Sequence, residues 1–192
     1  MSKKVKKGEK TITDVIDSIP NEVDFGYCAV ESTETKSFVI TNVTPGIMKF
    51  SVRSADNSPF KISHESGVLQ VKGKQEITFS YSPAECEVLV SSIVVNINGE
   101  EEKQIKLLAV AKYQLLSVSE TTLDFQELLV GKSEIKEIQI HNTGHVPASF
   151  RVRKERNEEE DTSFFVANKK GNIAVGESAT VKFKYQPKLV GV

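Results

Sequence analysis

Hydrophobic and polar residues alternate in short runs along this chain, and turn-forming residues separate the runs. The clearest run is 76–82, where Ile77, Phe79 and Tyr81 stand between polar residues and a proline follows. A period of two predicts a β-strand with one buried face. About seven short strands at close spacing are typical of a β-sandwich. In the first part of the chain the predicted strands are 22–25, 35–42, 48–52, 60–63, 76–82, 89–96 and 103–112, with a further extended piece at 68–71.

The same pattern occurs twice. Residues 23–52 and 123–152 align without a gap at an offset of 100, and beyond an insertion near 154–161 the offset becomes 104. Four extra residues are therefore confined to one loop, where added length costs little. The repeat predicts two tandem copies of one all-β module. Matching pairs include Asp24/Asp124, Phe25/Phe125, Ile40/Ile140, Asn42/Asn142, Phe50/Phe150, Val52/Val152, Phe60/Phe164, Gly67/Gly171, Phe79/Phe183 and Tyr81/Tyr185.

The repeat also sets the expected domain bounds. Residues 1–19 form a basic segment that we expect to be disordered, ending in a short lead-in whose spacing fits either a helical turn or a strand. The first sandwich is expected at 20–113 and the second at 114–192. The link at 113–122 lacks glycine and proline, which predicts that it packs as a strand.

The second copy has no counterpart of the apolar runs at 89–96 and 103–112. A sandwich without two of its strands exposes its core and a sheet edge. We therefore expect an incomplete second module, truncated at its C-terminal strands. Either the chain is a fragment of a longer polypeptide, or another molecule supplies the strands.

Three short motifs recur in order in both copies. In the first copy they are Val23-Asp24-Phe25-Gly26, then Asn42 at a strand end, then Phe79-Ser80-Tyr81-Ser82-Pro83. In the second they are Leu123-Asp124-Phe125 with Val130-Gly131-Lys132-Ser133, Asn142-Thr143-Gly144, and Phe183-Lys184-Tyr185-Gln186-Pro187. This order resembles the ASH/hydin group of immunoglobulin-like modules and is similar to major sperm protein and PapD-like sandwiches. Gln126 and Glu31 depart from the pattern at two turns.

The resemblance implies a function as well as a fold. Modules of this group occur mainly in ciliary, flagellar and centrosomal proteins, often in strings. The expected function is a non-enzymatic scaffold of the cilium, axoneme or centrosome that binds neighbouring proteins, tubulin among the candidates. The alternative is a cytosolic adaptor of the major sperm protein type that binds short acidic peptides at membrane contacts.

Composition limits other classes of partner. The chain is 39% hydrophobic and 27% charged with a net charge of −1, so no overall field attracts nucleic acid. No apolar run approaches a membrane span, and no secretory signal follows the first lysines. Cys28 and Cys86 both lie in the first copy, which favours reduced intracellular thiols over the alternative of a disulfide within that module. The expected location is the cytoplasm and cytoskeleton.

Candidate contact residues fall in two basic clusters. The N-terminal lysines are either a solubilising tail or an arm that touches an acidic surface. The second cluster adjoins an acidic run at 158–161 and is either a solvated loop or a contact for a charged partner. The candidates are Lys3, Lys4, Lys6, Lys7, Arg151, Arg153, Lys154 and Arg156.

No catalytic, cofactor or metal residue is predicted. His141 and His145 flank a turn without the cysteines or carboxylates that zinc requires. The tetrapeptide at 130–133 lacks the upstream glycine of a phosphate-binding loop. An enzyme is therefore the least favoured class, and the partner and oligomeric state stay open.

Overall fold

A computed structural model describes residues 10–54, 58–153 and 163–188. The chain divides into two compact units, Met1–Lys112 and Tyr113–Val192. Regular structure in the described residues is β-strand apart from one short helix, so the predicted all-β fold is confirmed. The bounds 20–113 and 114–192 stay a prediction.

The lead-in segment is helical. Helix α1 spans Ile12–Ser18 and begins with a capping box between Thr11 and Asp14, in which the Thr11 N–H donates to Asp14 Oδ2 at 2.7 Å. Val15 and Ile16 pack into the core of the first unit. The backbone hydrogen bond from Thr11 lowers the pKa of Asp14, and Lys10 adds to the effect. A reciprocal cap explains why so short a segment is helical.

In its described residues the first unit is a two-sheet sandwich of eight strands. The strands are β1 Glu22–Ala29, β2 Glu34–Thr41, β3 Met48–Ser54, β4 Phe60–Ile62, β5 Ser66–Leu69, β6 Lys74–Tyr81, β7 Val88–Ile97 and β8 Glu101–Lys112. One sheet has the order β1-β8-β7-β3-β5 and the other β2-β6-β4. Apolar side chains of both sheets meet between them and form the core.

Strand β1 continues past Gly26, where the sequence pattern predicts its end. Gly26 has a φ of +67°, and the register shifts between Asp24 and Tyr27. The Gly26 N–H donates to Asp24 Oδ1 at 2.7 Å, so the aspartate does bond local backbone. Pairing resumes after this bulge because β8 continues alongside, parallel to β1.

The hairpin of β7 and β8 supplies much of the first core. Ile93, Val95 and Ile97 of β7 are fully buried, and so are Ile105 and Leu107 of β8. The two strands pair antiparallel along 88–97 and 101–110. Removing this hairpin from the sandwich would expose the interior over its whole length.

The second unit repeats the plan with fewer strands in its described part. Its strands are β9 Leu116–Val118, β10 Glu134–Asn142, β11 Ala148–Arg151, β12 Phe164–Ala167, β13 Lys170–Ile173 and β14 Ser178–Tyr185. They form two sheets with the orders β12-β14-β10-β9 and β11-β13. The small core cluster of Ile140, Ile173 and Val181 lies between the two sheets.

Two segments differ between the copies. The link does form a strand, as predicted, and β9 pairs antiparallel with β10. Its counterpart in the first unit belongs to α1. Residues 123–129 align with β1 but form no strand. The reason is pairing, since β1 is held by β8, and the described second unit has no equivalent of β8.

Candidate protein-binding surface

The structure describes two of the predicted contact residues. Arg151 ends β11 and Arg153 follows two positions later, and both side chains are exposed. Phe150 and Val152 alternate with them and are half-buried. The other candidates, Lys3, Lys4, Lys6, Lys7, Lys154 and Arg156, lie outside the described residues.

Strand β11 presents one unpaired edge in the described part of the second unit. It pairs antiparallel with β13 on one side, with Arg151 opposite Lys170. Its counterpart β3 is paired on both sides, with β5 and with β7. Among the described residues, no strand pairs with the edge of β11 that corresponds to the β7 side of β3. We call it the open edge.

The first unit shows which backbone groups face this edge. The Lys49 N–H donates to Asn98 Oδ1 at 2.8 Å, and its carbonyl accepts from the Asn98 N–H at 2.9 Å. In the second unit the Ser149 N–H donates to Gln114 Oε1 at 3.2 Å in the equivalent way. The Val152 N–H instead donates to Lys169 on the β13 side. The N–H and C=O groups of successive residues point to opposite sides of a strand. The backbone groups of Arg151 and Arg153 therefore point to the open edge.

A groove lies between the two sheets of the second unit, near the end of β11. It encloses about 340 Å³, and its apolar lining consists of Val152, Phe164, Val166 and Phe183. Phe164 is 42% exposed, whereas its counterpart Phe60 is 4% exposed. Phe183 is half-buried, whereas Phe79 is completely buried. In the first unit the β7–β8 hairpin contributes Ile93, Val95, Ile105 and Leu107 to the core that also contains Phe60 and Phe79.

Two cations, Arg153 and Lys169, line the groove, and Arg151 and Lys170 face each other nearby on β11 and β13. We call these four residues the basic rim. At the equivalent places the first unit has Ser51, Arg53, Glu65 and Ser66, one cation and one anion. Concentrated like charge attracts an anionic partner.

Sequence reasoning finds half of the basic rim and misses Lys169 and Lys170. Those lysines stand beyond the insertion and look like part of a polar loop. The register of β11 with β13 brings them beside the two arginines. Applying the offset of 104 to Glu65 and Ser66 would have shown the change of charge.

The described residues contain no group of three or more histidine, cysteine, aspartate or glutamate side chains that could hold a metal ion. Cys28 is buried and Cys86 is exposed, and both thiols are free. Across the described chain, no helix has the length and apolar character to cross a membrane.

Tandem all-β sandwich units of this kind are typical of immunoglobulin-like domains. The family model described as the HYDIN/CFA65/VesB-like Ig-like domain matches residues 15–110 and 114–192. The chain therefore belongs to this family of Ig-like domains, and the resemblance inferred from the sequence is confirmed.

Two curated relatives match nearly the whole chain. Both are named cilia- and flagella-associated protein 65. The protein from Chlamydomonas reinhardtii is 25% identical over 173 residues, covering 90% of this chain, and the one from Homo sapiens is 26% identical over 186 residues, covering 88%. The chain spans only 8% and 10% of their lengths.

A solved structure is also similar in fold. It is an ASH/PapD-like domain of human CEP192, with a TM-score of 0.43 and 14% identity. The likeness covers 58% of this chain and 94% of that domain.

Proposed function

We propose that this chain is part of a non-enzymatic structural protein of the cilium or flagellum, in which tandem Ig-like units bind neighbouring proteins. The observation that carries the proposal is the match of both units, together, to relatives named for cilia and flagella. The basic rim of the second unit supports a binding role, because concentrated like charge attracts an anionic partner.

Axoneme fractionation tests the proposal. The tagged chain is expressed in a ciliated cell, cilia are isolated, and the membrane and soluble matrix are removed with detergent. We expect the chain to remain with the detergent-insoluble axoneme and to be released by high salt, because charged contacts are screened. The first unit alone, residues 1–112, is the matched control for the contribution of the second. A chain found only in the cytosol, or only in the detergent extract, contradicts the proposal.

The basic rim also favours the second candidate function, the adaptor that binds short acidic peptides at membrane contacts. Vesicles carrying a tethered acidic peptide with one phenylalanine separate the two functions. Recruitment of the chain to such vesicles without retention on axonemes favours the adaptor. Retention on axonemes without recruitment favours the structural protein.

A further inference from the structure

We propose that the outer face of the five-stranded sheet in the first unit binds a short amphipathic α-helix of a separate partner protein, with aliphatic residues along one side of the helix and a basic residue at one end. This inference rests on the proposed function and names the surface and the partner chemistry. Three observations carry it: a strand that is apolar on both faces, a compact patch of exposed apolar side chains, and a carboxylate at one end of that patch. The three strands concerned, β1, β7 and β8, are described along their whole length.

The second half of β8 is apolar on both of its faces. Leu107, Ala109 and Ala111 point into the core and are buried. Leu108 and Val110 alternate with them, point to the outer face of the sheet and are half-buried. In the first half of the strand the outward positions are polar, namely Glu102, Gln104 and Lys106. A strand with apolar residues on both faces is typical of a strand that is covered on both sides, so we expect another element to cover this end of the outer face.

Neighbouring strands extend this apolar surface. Val110 lies opposite Val88 of β7 and Tyr27 of β1, and Leu108 lies opposite Val90 of β7. Tyr27, Val88 and Val90 are 56%, 74% and 62% exposed. Together the five side chains form two adjacent rows across three strands, and we call them the apolar patch. The next row along the strands is polar and consists of Glu22, Lys106 and Ser92.

The size of the patch favours a helical segment over a second copy of the chain. Its side chains expose an area on the order of 300–400 Å², about half of the roughly 800 Å² that each partner buries in a stable complex. Strand β8 is paired on both sides, so an occupant of this face makes side-chain contacts and adds no strand to the sheet. Three strands spaced about 4.8 Å apart give a patch about 10 Å wide, which two turns of an α-helix span. The matching helix therefore lies across the strands, with aliphatic residues at i, i+3, i+4 and i+7.

A carboxylate gives the bound helix a direction. Asp24 of β1 lies opposite Leu108, so it stands at the β1 end of the patch. Asp24 is exposed, its Oδ1 accepts a hydrogen bond from the Gly26 N–H, and no ion pair among the described residues includes it. Glu22, one row away, already pairs with Lys106, with 3.9 Å between the carboxylate and Nζ. A basic residue at the end of the partner helix would therefore lie over Asp24.

Three synthetic peptides test the proposal. All are alanine-based and about 14 residues long, and a side-chain staple holds them helical, because isolated helices of this length are marginal. The lysine peptide has leucines at i, i+3, i+4 and i+7 and two lysines beyond one end of that stripe. The glutamate peptide has glutamates in place of the lysines. The scrambled peptide has the composition of the lysine peptide with its leucines distributed around the helix.

Each peptide is titrated into the 192-residue chain with a fluorophore on Cys86. Cys86 is exposed and lies two residues before Val88, whereas Cys28 is buried, so the label reports on the patch. We expect the lysine peptide to bind at least tenfold more tightly than the scrambled peptide, because only an aligned stripe covers the patch. It should bind about threefold more tightly than the glutamate peptide at low salt, and this difference should shrink at high salt.

Substitutions of exposed side chains locate the site without disturbing the core. The double variant Val88→Ser, Val90→Ser should weaken binding of the lysine peptide at least tenfold. Val68→Ser is the matched control, because Val68 is 57% exposed on β5 of the same sheet, and it should leave binding unchanged. Asp24→Asn keeps the acceptor for the Gly26 N–H and removes the charge, so it should abolish the preference for lysine over glutamate.

Three results overturn the proposal. The first is equal binding of the lysine and scrambled peptides. The second is a double variant that binds the lysine peptide as tightly as the parent chain does. The third is a charge preference that Asp24→Asn leaves intact.

Amide chemical shifts give a readout that a general affinity for peptides does not produce. Binding of the lysine peptide should shift the amides of β1, β7 and β8 around the patch. The amides of β2, β4 and β6, which form the other sheet, should stay unchanged. Tight binding with shifts confined to that other sheet, or to the second unit, shows a different site and overturns the proposal.

Other occupants of the patch are separate outcomes. Concentration-dependent self-association that Val88→Ser, Val90→Ser abolishes assigns the patch to a second copy. Peptide binding that is lost when the chain is extended with further natural sequence assigns the patch to the protein's own polypeptide. Each overturns the proposal. Retention on axonemes with no peptide binding removes this inference alone, whereas peptide binding without retention removes the proposed ciliary function.

Discussion

Each unit contains one buried asparagine whose side chain bonds the backbone of a turn. Replacing each one by alanine tests whether the loss in free energy of unfolding depends on how deeply the hydrogen bonds are buried or on how many there are. Asn142 is 3% exposed and sits where β10 ends. Its Nδ2 donates to the carbonyls of Val146 at 2.9 Å and Ile173 at 3.0 Å. Its Oδ1 accepts from the Gly144 N–H at 2.9 Å. All three bonds are buried.

Asn42 is completely buried as a residue but makes more exposed bonds. Its Nδ2 donates to the carbonyls of Gly46, Leu69 and Gln70, and its Oδ1 accepts from the N–H and the hydroxyl of Thr44. Of these five bonds only the one to Leu69 is fully buried. After truncation of Asn42, water can therefore bond most of the backbone groups that its side chain had bonded.

We expect Asn142→Ala to lower the free energy of unfolding of its unit by about 3–5 kcal/mol, because each of three buried groups loses its partner at about 1–3 kcal/mol, partly recovered by relaxation. Asn42→Ala should cost about 2–4 kcal/mol, since only one group is left fully buried and unpaired. Asn142→Ala, which loses three hydrogen bonds, is thus expected to lower stability more than Asn42→Ala, which loses five.

The chain has no tryptophan, so amide exchange resolved by unit is the suitable assay. The most protected amides of β10 and β14 report the second unit, and those of β2 and β6 the first. Asn172→Ala is the matched control, because Asn172 is exposed on β13 and should change stability by less than about 0.5 kcal/mol. If Asn142→Ala costs less than Asn42→Ala, the argument from burial is wrong.

Three further outcomes are expected. Gly67→Ala should destabilise the first unit by about 1–3 kcal/mol in thermal unfolding, because the added Cβ would lie 2.5 Å from the buried ring of Phe50. The control is Gly46→Ala, whose Cβ meets open space and should leave the stability nearly unchanged. A thiol reagent should modify exposed Cys86 at once and Cys28 only on unfolding, since burial both shields Cys28 and raises its pKa; equal rates would contradict this. Because the pKa of Asp14 is lowered, its cap on α1 is fully present above the ordinary value of 3.8 and is lost as the pH falls through the lowered value. Amide exchange of α1 should therefore speed up only in that acidic range. Asp14→Asn should remove this pH dependence of the exchange.

Much of the fold follows from the period-two pattern and the repeat. Alternation and the offset of 104 assign Phe79 and Phe183 to equivalent strands, and β6 and β14 contain them. The prediction that β1 ends at Gly26 is wrong, because glycine signals a break in local sequence. Strand β1 continues beyond Gly26 because it pairs with β8, a strand at the far end of the same unit. The local sequence around Gly26 does not indicate this long-range pairing.

The binding surface is only partly visible in the sequence for the same reason. Arg151 and Arg153 alternate with apolar residues, so their exposure can be predicted from β-strand geometry. Lys169 and Lys170 join them only through the pairing of two strands across an insertion. Residues 23–29 and 123–129 align without a gap, yet only the first segment is a strand. The alignment does not show this difference, because strand formation at 23–29 depends on pairing with β8.

The parallel pairing of β1 with β8 has a mechanical consequence. These strands begin and end the sandwich of the first unit, and six residue pairs join them, from Glu22 with Lys106 to Ala29 with Lys112. A pull applied to the two ends of the unit draws parallel neighbours past each other along their length. The hydrogen bonds of the ladder then share the load and must fail together, instead of opening one after another as at the end of a hairpin. We therefore expect the first unit to resist tension applied between its two ends.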